Sequence, residues 1–359
     1  MQKIKKGLKL LVVLPMLLVL VFVNIYEDPA NMFHDPGIEI AQAILDGQQP
    51  YFTSANGDER EVKKYLIENI DKHVDCVTVG PSLSLEIGRE HVGTDSYYNL
   101  SASAMNYNDY MAVFGLLDLN EIQYDKVIIC VDAYFFDDYF VTDSWNPDYM
   151  NYASYMISKL EGKDYSLPEN GITGTELKNK LSLMFSVSYF QSSLDFIKSN
   201  GSVIPPEARW GIADENTDVE HYLPDGSIEY GQTYRNQTVE DIIGYANSID
   251  VKQRFGFERS IDDYYKAHFE MLIGYLEERG VEVEFFLCPI CPALWDKLQE
   301  AGGDRYLLYE LEQYSGEIAE KYGINVVGSY DPYRVGVDNS DFYDCFHLRR
   351  YALERYYQF

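Results

Sequence analysis

Two short motifs, far apart in the chain, carry side chains that together can catalyse acyl transfer. Gly80-Pro-Ser82 follows a short apolar run, and Asp344-Cys-Phe-His347 directly precedes the C-terminal segment 348–357. A serine hydroxyl is a poor nucleophile until a neighbouring base takes its proton. Three-residue spacing on a turn lets the Asp344 carboxylate orient Nδ1 of His347, which leaves Nε2 free to accept that proton. The two motifs therefore predict a catalytic triad of Ser82, His347 and Asp344.

Short apolar, β-branched runs alternate with helical patterns, and these elements have to position the two motifs. Near-continuous apolar strands belong to sheets that are covered on both faces. The alternation predicts a parallel sheet with right-handed crossovers, so we expect an α/β fold with three layers, α/β/α, and a mainly parallel five-stranded sheet. Active groups gather beyond the carboxyl ends of such strands, which is where Ser82 falls. The predicted strands are 75–79, 97–100, 126–131, 281–287 and 324–327.

Three helices are delimited by the sequence, and one long segment interrupts the alternation. A capping-box-like start and a terminal glycine predict a helix over 261–279, and further helices are expected at 304–322 and 348–357. The segment from about 138 to 258 is expected to be an insertion with helices first and irregular loop afterwards. Insertions of this length often shape the substrate site of α/β enzymes, and a small lid domain is the alternative interpretation.

The N-terminus has the pattern of a membrane-targeting segment. Residues 1–9 contain four lysines and no acid, and the run from Leu10 to Val23 has no polar side chain. A basic flank before an apolar run stays in the cytoplasm, and the chain beyond the run is exported. No small-residue cleavage site comes after the run, so an uncleaved anchor over 1–26 is favoured over a cleaved signal peptide. We expect a single-pass protein of the cell membrane, with the domain 27–359 outside the cytoplasm.

The exported part is strongly acidic. The chain has 58 Asp and Glu residues against 29 Lys and Arg residues, and four of the lysines lie in the predicted anchor, so residues 27–359 carry a formal charge of −33. Such a field repels nucleic acids and anionic lipid headgroups. Nucleic-acid binding is therefore excluded as a function.

The cysteines and histidines do not have the spacing of a metal site. Cys288-Pro-Ile-Cys291 has CxxC spacing, but no second ligand pair accompanies it, and its prolines oppose the helix start of a thioredoxin-type motif. We expect the cysteines to be buried or locally bridged. The acid pair Asp137-Asp138 is expected to lie in a solvated loop. Surface or structural roles are expected for the histidines other than His347.

The context of the two motifs resembles the SGNH/GDSL hydrolase superfamily. That family has its nucleophile in a Gly-Asp-Ser or Gly-x-Ser turn after the first strand and an Asp-x-x-His block before the C-terminal helix, which Gly80-Pro-Ser82 and Asp344-Cys-Phe-His347 match. The resemblance implies an SGNH/flavodoxin-like sheet. The chain looks most like the membrane-anchored members found beside systems that acylate cell-surface polysaccharide or teichoic acid. The stretches 28–33, 98–104 and 131–137 add weaker similarity to this branch.

The resemblance also implies an oxyanion hole. The family's second block offers a glycine N–H, and the corresponding residue here is Ala104, with Ser103 as the near alternative. The third block of hydrolases offers an Asn side chain, whereas Asp132 stands at that strand end. A carboxylate cannot donate to an oxyanion unless it is protonated, which argues against ordinary esterase activity. Asn99 and Asn106 are the candidate replacement donors.

Two functions from different classes are consistent with this resemblance. The first is a serine acyltransferase or esterase that forms an acyl-serine on Ser82 and acts on O-acyl groups of a cell-envelope polysaccharide or teichoic acid. It implies no cofactor, but transfer requires an acyl donor or an integral-membrane partner that exports the acyl group. The second, which Asp132 keeps open, is a catalytically inactive SGNH-fold surface protein that binds envelope polymer or assists an acylation complex.

Overall fold

The structure, a computed structural model of the 359-residue chain, describes residues 2–53, 57–136, 147–167, 174–203, 205 and 208–357. For residues 2–12, 147–148, 174–176, 200 and 356 it describes the backbone alone. The strands are β1 Pro50–Phe52, β2 His73–Val79, β3 Tyr97–Asn99, β4 Gln123–Cys130, β5 Trp210–Ile212, β6 His221–Tyr222, β7 Ile228–Glu229, β8 Glu282–Leu287 and β9 Asn325–Gly328. The helices are α1 Gln2–Glu27, α2 Gly37–Leu45, α3 Glu59–Asn69, α4 Arg89–Val92, α5 Tyr107–Leu119, α6 Ala133–Phe136, α7 Pro147–Leu160, α8 Gly174–Met184, α9 Val187–Asn200, α10 Gln232–Arg235, α11 Val239–Ser248, α12 Val251–Arg254, α13 Asp263–Glu278, α14 Pro292–Glu300, α15 Leu307–Tyr322, α16 Pro332–Val335 and α17 Arg350–Tyr356.

A five-stranded parallel sheet lies at the centre of the fold. Its strand order is β3-β2-β4-β8-β9, and every neighbouring pair is parallel. Helices flank the sheet, and Val77, Ile129 and Phe285 of the inner strands are fully buried. Each of the five predicted strands is found within three residues of its expected bounds, so the prediction of an α/β fold with a parallel sheet is confirmed. The carboxyl ends of all five strands lie at one edge.

The predicted helices exist but begin later than expected. Asp262 caps α13 because its side chain accepts the N–H of Tyr264. A 3-10 turn at Gly303–Arg305 precedes α15. Leu348 pairs with Phe342 in an isolated bridge before α17. In each case a local hydrogen bond involves the first residues that the sequence pattern assigned to the helix, so the helix begins after them.

The segment between β4 and β8 begins with helices and continues with short strands. α7 packs on α5 so closely that a Cβ on Gly115 would lie 2.4 Å from the carbonyl oxygen of Tyr152. β5 pairs with β1, and β6 and β7 form a hairpin. The buried ammonium of Lys63 donates to the carbonyl oxygens of Asn99 and Gly226. This bridge holds the β6–β7 hairpin beside the carboxyl end of β3.

The end of α1 is bound to the insertion. Arg209, which is almost fully buried, donates to the carbonyl oxygens of Glu27 (2.7 Å) and Asp28 (3.1 Å). The hydroxyl of Tyr189 in α9 donates to the Asp28 carboxylate at 2.6 Å. Among the described residues, no helix combines the length and apolarity needed to cross a membrane. The anchor over 1–26 stays a prediction.

The five cysteines are buried free thiols. Cys288 follows β8, and Cys291 is the residue before α14, so the CxxC motif leaves a strand and the helix begins only after it. The N–H of Cys291 donates to the carbonyl oxygen of Cys345 at 2.9 Å. Cys288, Cys291 and Cys345 therefore join the segment between β8 and α14 to the Asp344–His347 turn.

Candidate active site

The nucleophile turn forms where β2 leaves the sheet. β2 ends at Val79, and Gly80 then passes β4 so closely that a Cβ on it would lie 2.4 Å from Cβ of Cys130. Residues Ser82–Ser84 make a single 3-10 turn. Only glycine fits at the first position, so the Gly-x-Ser spacing has a steric cause. The turn holds Ser82 at the carboxyl edge of the sheet.

Asn99 supports this turn and does not serve the substrate. Its Nδ2 donates to the carbonyl oxygens of Ser84 (2.7 Å) and Ile87 (2.9 Å), and its Oδ1 accepts the N–H of Ser101 (2.9 Å). The side chain is fully buried and its amide protons are used. The expectation of Asn99 as an oxyanion donor is therefore wrong. The other candidate, Asn106, uses its side-chain oxygen to cap α5.

The turn that carries His347 is stabilised by its own backbone. Oδ1 of Asp344 accepts the N–H groups of Phe346 (2.7 Å) and His347 (2.8 Å). The carbonyl oxygen of His347 accepts the N–H of Tyr343 at 2.8 Å. Aspartate commonly closes turns in this way. The remaining carboxylate oxygen, Oδ2, faces the imidazole.

Ser82, His347 and Asp344 form a continuous hydrogen-bonded chain. Nε2 of His347 lies 2.8 Å from Oγ of Ser82, and Nδ1 lies 2.9 Å from Oδ2 of Asp344. The fold thus joins two motifs that are 265 residues apart. With Nδ1–H donating to the carboxylate, Nε2 is the acceptor for the serine hydroxyl proton. This is the arrangement that activates a serine as a nucleophile.

Tyr234 of α10 adds a further hydrogen bond to this chain. Its hydroxyl donates to Oδ2 of Asp344 at 2.7 Å and lies 3.2 Å from Nδ1 of His347. Burial alone would raise the pKa of Asp344, but the hydrogen bonds from His347 and Tyr234 outweigh burial and lower this pKa to about 2. The carboxylate is therefore ionised at neutral pH. Sequence reasoning missed Tyr234, because nothing in its context distinguishes it among 32 tyrosines.

The two candidate backbone donors to the oxyanion, Ala104 and Ser103, have different surroundings in the structure. Ala104 and Ser82 both line a cavity of about 110 Å³. Ser103 is engaged elsewhere, because its N–H and its hydroxyl both donate to the carboxylate of Glu59. Ala104 has a φ of +51°, a left-handed conformation that is costly for a residue other than glycine. The strained backbone corresponds to the position where the resembling family has glycine.

The cavity beside Ser82 is mainly apolar, and besides His347 it is lined by one carboxyl group, that of Asp132, and one guanidinium, that of Arg254. Oδ1 of Asp132 accepts the N–H of Tyr134 at 2.9 Å, and burial raises the pKa of Asp132. The guanidinium of Arg254 donates to the Tyr134 hydroxyl at 2.9 Å and stacks on the ring of Phe346 at 4.7 Å. Sequence reasoning found Asp132 but not Arg254, which the insertion brings to the cavity. The other side chains around it include Leu83, Ala133, Phe255, Ile290 and Leu308.

Two clusters of possible cation ligands lie outside this cavity in the described part of the chain: His73 with Asp75 and Asp125, and Glu90 with His91 and Glu354. In the first, Nε2 of His73 lies 3.0 Å from Oδ1 of Asp125, and both side chains are exposed at the amino-terminal edge of the sheet, opposite Ser82. Exposed groups of this kind are common without a metal. The acid pair Asp137-Asp138 lies outside the described residues.

Comparison with known proteins does not identify the chain. No protein-family model matches it, and no curated protein is significantly similar to it. The functional argument consequently depends on the residues of the site and on their geometry.

Proposed function

We propose that this protein is a serine acyltransferase or esterase of the SGNH type. The observation that carries the proposal is the hydrogen-bonded chain from Ser82 through His347 to Asp344, with distances of 2.8 and 2.9 Å. The position of the serine after β2 and of the Asp-x-x-His turn before α17 supports the resemblance to SGNH/GDSL hydrolases. The apolar cavity next to Ser82 supplies space for an acyl group.

The first half-reaction transfers the acyl group to the enzyme. Oγ of Ser82 attacks the ester carbonyl while Nε2 of His347 takes the hydroxyl proton, and Asp344 stabilises the resulting imidazolium. The N–H groups of Ala104 and Ser82 are the proposed donors to the oxyanion. The tetrahedral intermediate then collapses, the ester C–O bond breaks, and the leaving alcohol takes the proton from His347.

The second half-reaction releases the acyl group by the same chemistry in reverse. A hydroxyl of the acceptor gives its proton to Nε2 of His347 and attacks the acyl-serine carbonyl. The bond to Oγ breaks, and Ser82 recovers its proton from the imidazolium. A sugar or polyol hydroxyl as the acceptor makes the protein a transferase, and water makes it an esterase. The residues involved are the same in both cases.

The substrate class and the location belong to the same proposal. The lysine-flanked apolar segment of residues 1–26 supports a single-pass anchor with the acidic domain on the outer face of the cell membrane. The polymer within reach there is an envelope polysaccharide or a teichoic acid, and O-acyl groups on its hydroxyls are the proposed substrate or product. Transfer to it needs a donor, which an integral-membrane partner that exports the acyl group would supply.

One observation favours a second candidate function. Asp132 lines the cavity where the resembling hydrolases have an Asn that donates to the oxyanion, and a carboxylate repels that charge. If Asp132 prevents turnover, the chain is a catalytically inactive surface protein that binds envelope polymer or assists an acylation complex. Burial raises the pKa of Asp132 above its ordinary value, while the N–H of Tyr134 and the charge of Arg254 act in the opposite direction.

Incubation of the purified chain with a short-chain 4-nitrophenyl ester separates the two candidates. We expect intact-mass analysis to find one acyl group on the wild type, located to the peptide containing Ser82, and none on Ser82→Ala. Adding glycerol as an acceptor should yield acyl-glycerol for a transferase and only free acid for an esterase. Equal turnover in the wild type and in Ser82→Ala would rule out the acyl-serine mechanism.

A further inference from the structure

The α8–α9 hairpin, residues 174–200, presents a large apolar surface. Leu177 and Leu181 in α8 are 51% and 45% exposed. Phe185 in the turn is 51% exposed, and Val187 and Leu194 in α9 are 61% and 46% exposed. On soluble proteins, exposed apolar side chains usually occur singly, whereas a contiguous group of them indicates an interaction surface.

The apolar residues of α9 follow one stripe of the helix. Val187, Phe190, Leu194 and Ile197 are spaced by three and four residues, so they lie on one face. The buried residues Tyr189 and Ser193, along with Phe196, lie on the adjacent face toward the rest of the fold. The side away from the stripe is polar and exposed, with Ser188, Gln191, Ser192, Asp195 and Ser199. The separation of an apolar stripe from a polar side makes α9 amphipathic, as a helix that lies in a membrane interface must be.

The hairpin is attached to the end of α1. Nδ2 of the buried Asn24 donates to the carbonyl oxygens of Leu183 (2.9 Å), Met184 (3.1 Å) and Ser186 (2.9 Å), which form the turn of the hairpin. α1 packs against both α8 and α9. In the described part of α1 before this point, most apolar side chains from Val13 to Phe22 are exposed, including Val19 at 56% and Phe22 at 64%. The stripe, in which Val187 and Leu194 are exposed and Phe190 and Ile197 are half-buried, therefore begins beside the exposed apolar part of α1.

The charge of the hairpin is opposite to that of the rest of the molecule. Residues 174–200 contain Lys178, Lys180 and Lys198 against Glu176 and Asp195, while the whole chain has a formal charge of −29. An acidic protein is repelled by anionic lipid, and a locally basic segment reduces this repulsion where it approaches the headgroups. Charge and apolarity thus coincide in one element.

We infer that the α8–α9 hairpin lies in the outer leaflet of the membrane as a second point of attachment, with its apolar stripe among the acyl chains and its lysines at anionic headgroups. The inference rests on the membrane anchor of the proposed function. A single spanning helix leaves a domain free to tilt, whereas a helix and an interfacial hairpin joined through Asn24 fix its orientation. The active site is then held in a constant orientation relative to the membrane.

Lipid quenching of a fluorophore on the full chain tests this inference. The five native cysteines are buried, so Leu194→Cys on the stripe and Ser192→Cys on the polar side can be labelled singly with an environment-sensitive dye. The variants are reconstituted in vesicles of phosphatidylcholine and phosphatidylglycerol that contain spin-labelled lipid. We expect the label at 194 to be quenched roughly threefold or more above the label at 192. Equal, weak quenching at both positions would overturn the inference.

A label at Val19→Cys distinguishes failure of the hairpin from failure of the anchor. If the label at position 19 is quenched and the label at position 194 is not, the membrane anchor is supported, and the proposed contact of the hairpin with lipid is overturned. If the label at position 194 were shielded from water in native membranes but not in pure lipid vesicles, a protein partner would be covering the stripe. That result would also overturn the proposed contact with lipid. None of the three variants touches Ser82, His347 or Asp344, so acylation of Ser82 in the same samples reports on the proposed function separately.

Discussion

At the residue scale, Asp344 is the side chain on which the hydrogen bonds of the site converge. Its oxygens accept two backbone N–H groups, the imidazole of His347 and the hydroxyl of Tyr234. A carboxylate with this many donors keeps one orientation and stays ionised. The imidazole is consequently held with Nε2 directed at Ser82.

Replacing Tyr234 with phenylalanine tests whether this support matters for reactivity. Loss of one donor makes the Asp344 carboxylate more basic, and it then holds the protonated imidazole more strongly. We expect Ser82 to react several-fold more slowly at neutral pH, and the acid limb of the rate profile to move up by at most about one pH unit. The rate of inactivation by a fluorophosphonate, measured from pH 5 to pH 9, gives both quantities.

Tyr230→Phe is the matched control for this variant. The Tyr230 ring packs edge-on against His347, with centroids 6.0 Å apart, and its hydroxyl makes no hydrogen bond to the triad. It should leave the profile unchanged. An equal shift in both variants, or a shift in neither, would count against a positioning role for Tyr234.

The residues of the hydrogen-bonded chain, Ser82, His347 and Asp344, could be proposed from the sequence, whereas the contact of Tyr234 with them could not. A serine after an apolar strand and an Asp-x-x-His turn identify themselves by residue type and spacing. Tyr234 is recognisable only once α10 lies against the Asp344 turn, which depends on how the whole insertion folds. Asn99 shows the converse, because its nearness to the second block of the resembling family suggested a role as a donor and its hydrogen bonds show a structural role.

At the element scale, the turn that follows β2 determines whether Ser82 lies at the carboxyl edge of the sheet, within reach of His347. Gly80→Ala would place a Cβ 2.4 Å from Cβ of Cys130 and 2.5 Å from Oγ of Ser84. We expect a loss of about 1–3 kcal/mol in the free energy of unfolding, with nearly complete loss of Ser82 reactivity. Urea unfolding and fluorophosphonate labelling measure the two effects.

Gly244→Ala in α11 controls for the general effect of adding a methyl group. A Cβ at Gly244 meets no atom within 4 Å, so this change should stabilise the protein by up to about 1 kcal/mol through helix propensity. If Gly80→Ala behaved like Gly244→Ala, the steric account of the nucleophile turn would be refuted.

The elements themselves were predicted well where one local pattern dominates. The parallel strands are near-continuous apolar runs, and all five were found. The starts of α13, α15 and α17 were missed by two or three residues, because an Asp262 cap, a 3-10 turn and a bridge at Leu348 compete with the helix there. The short strands β5, β6 and β7 carry no periodic signal, because their pairing depends on partners distant in sequence or on turn geometry.

At the scale of the whole molecule, an acidic chain has buried carboxyl groups that must be kept neutral. Burial raises the pKa of Glu86 to about 8 from an ordinary 4.5, although the Tyr343 hydroxyl donates to its Oε1 at 3.1 Å and the backbone of Tyr230 also donates to the carboxyl group. Between these two pKa values the folded state binds more protons than the unfolded state. The free energy of unfolding therefore falls as the pH rises through this window.

Glu86→Gln should remove this component of the pH dependence. We expect the variant to match the wild type near pH 5 and to exceed it near pH 8 by a few kcal/mol, because a tenfold change in proton affinity corresponds to about 1.4 kcal/mol. Urea unfolding at both pH values measures the difference. Glu277→Gln, which removes an exposed charge, should leave the slope unchanged; a wild type that is more stable at pH 8 than Glu86→Gln would contradict the burial argument.

The most direct test of the central claim is covalent labelling of Ser82 by a fluorophosphonate probe. The hydrogen-bonded chain predicts that the wild type is labelled at Ser82 alone, and that Ser82→Ala and His347→Ala are not labelled. Ser103→Ala, which removes a nearby hydroxyl bound to Glu59, should be labelled like the wild type. An unlabelled wild type, or labelling that survives in Ser82→Ala, would contradict the assignment of Ser82 as an activated nucleophile.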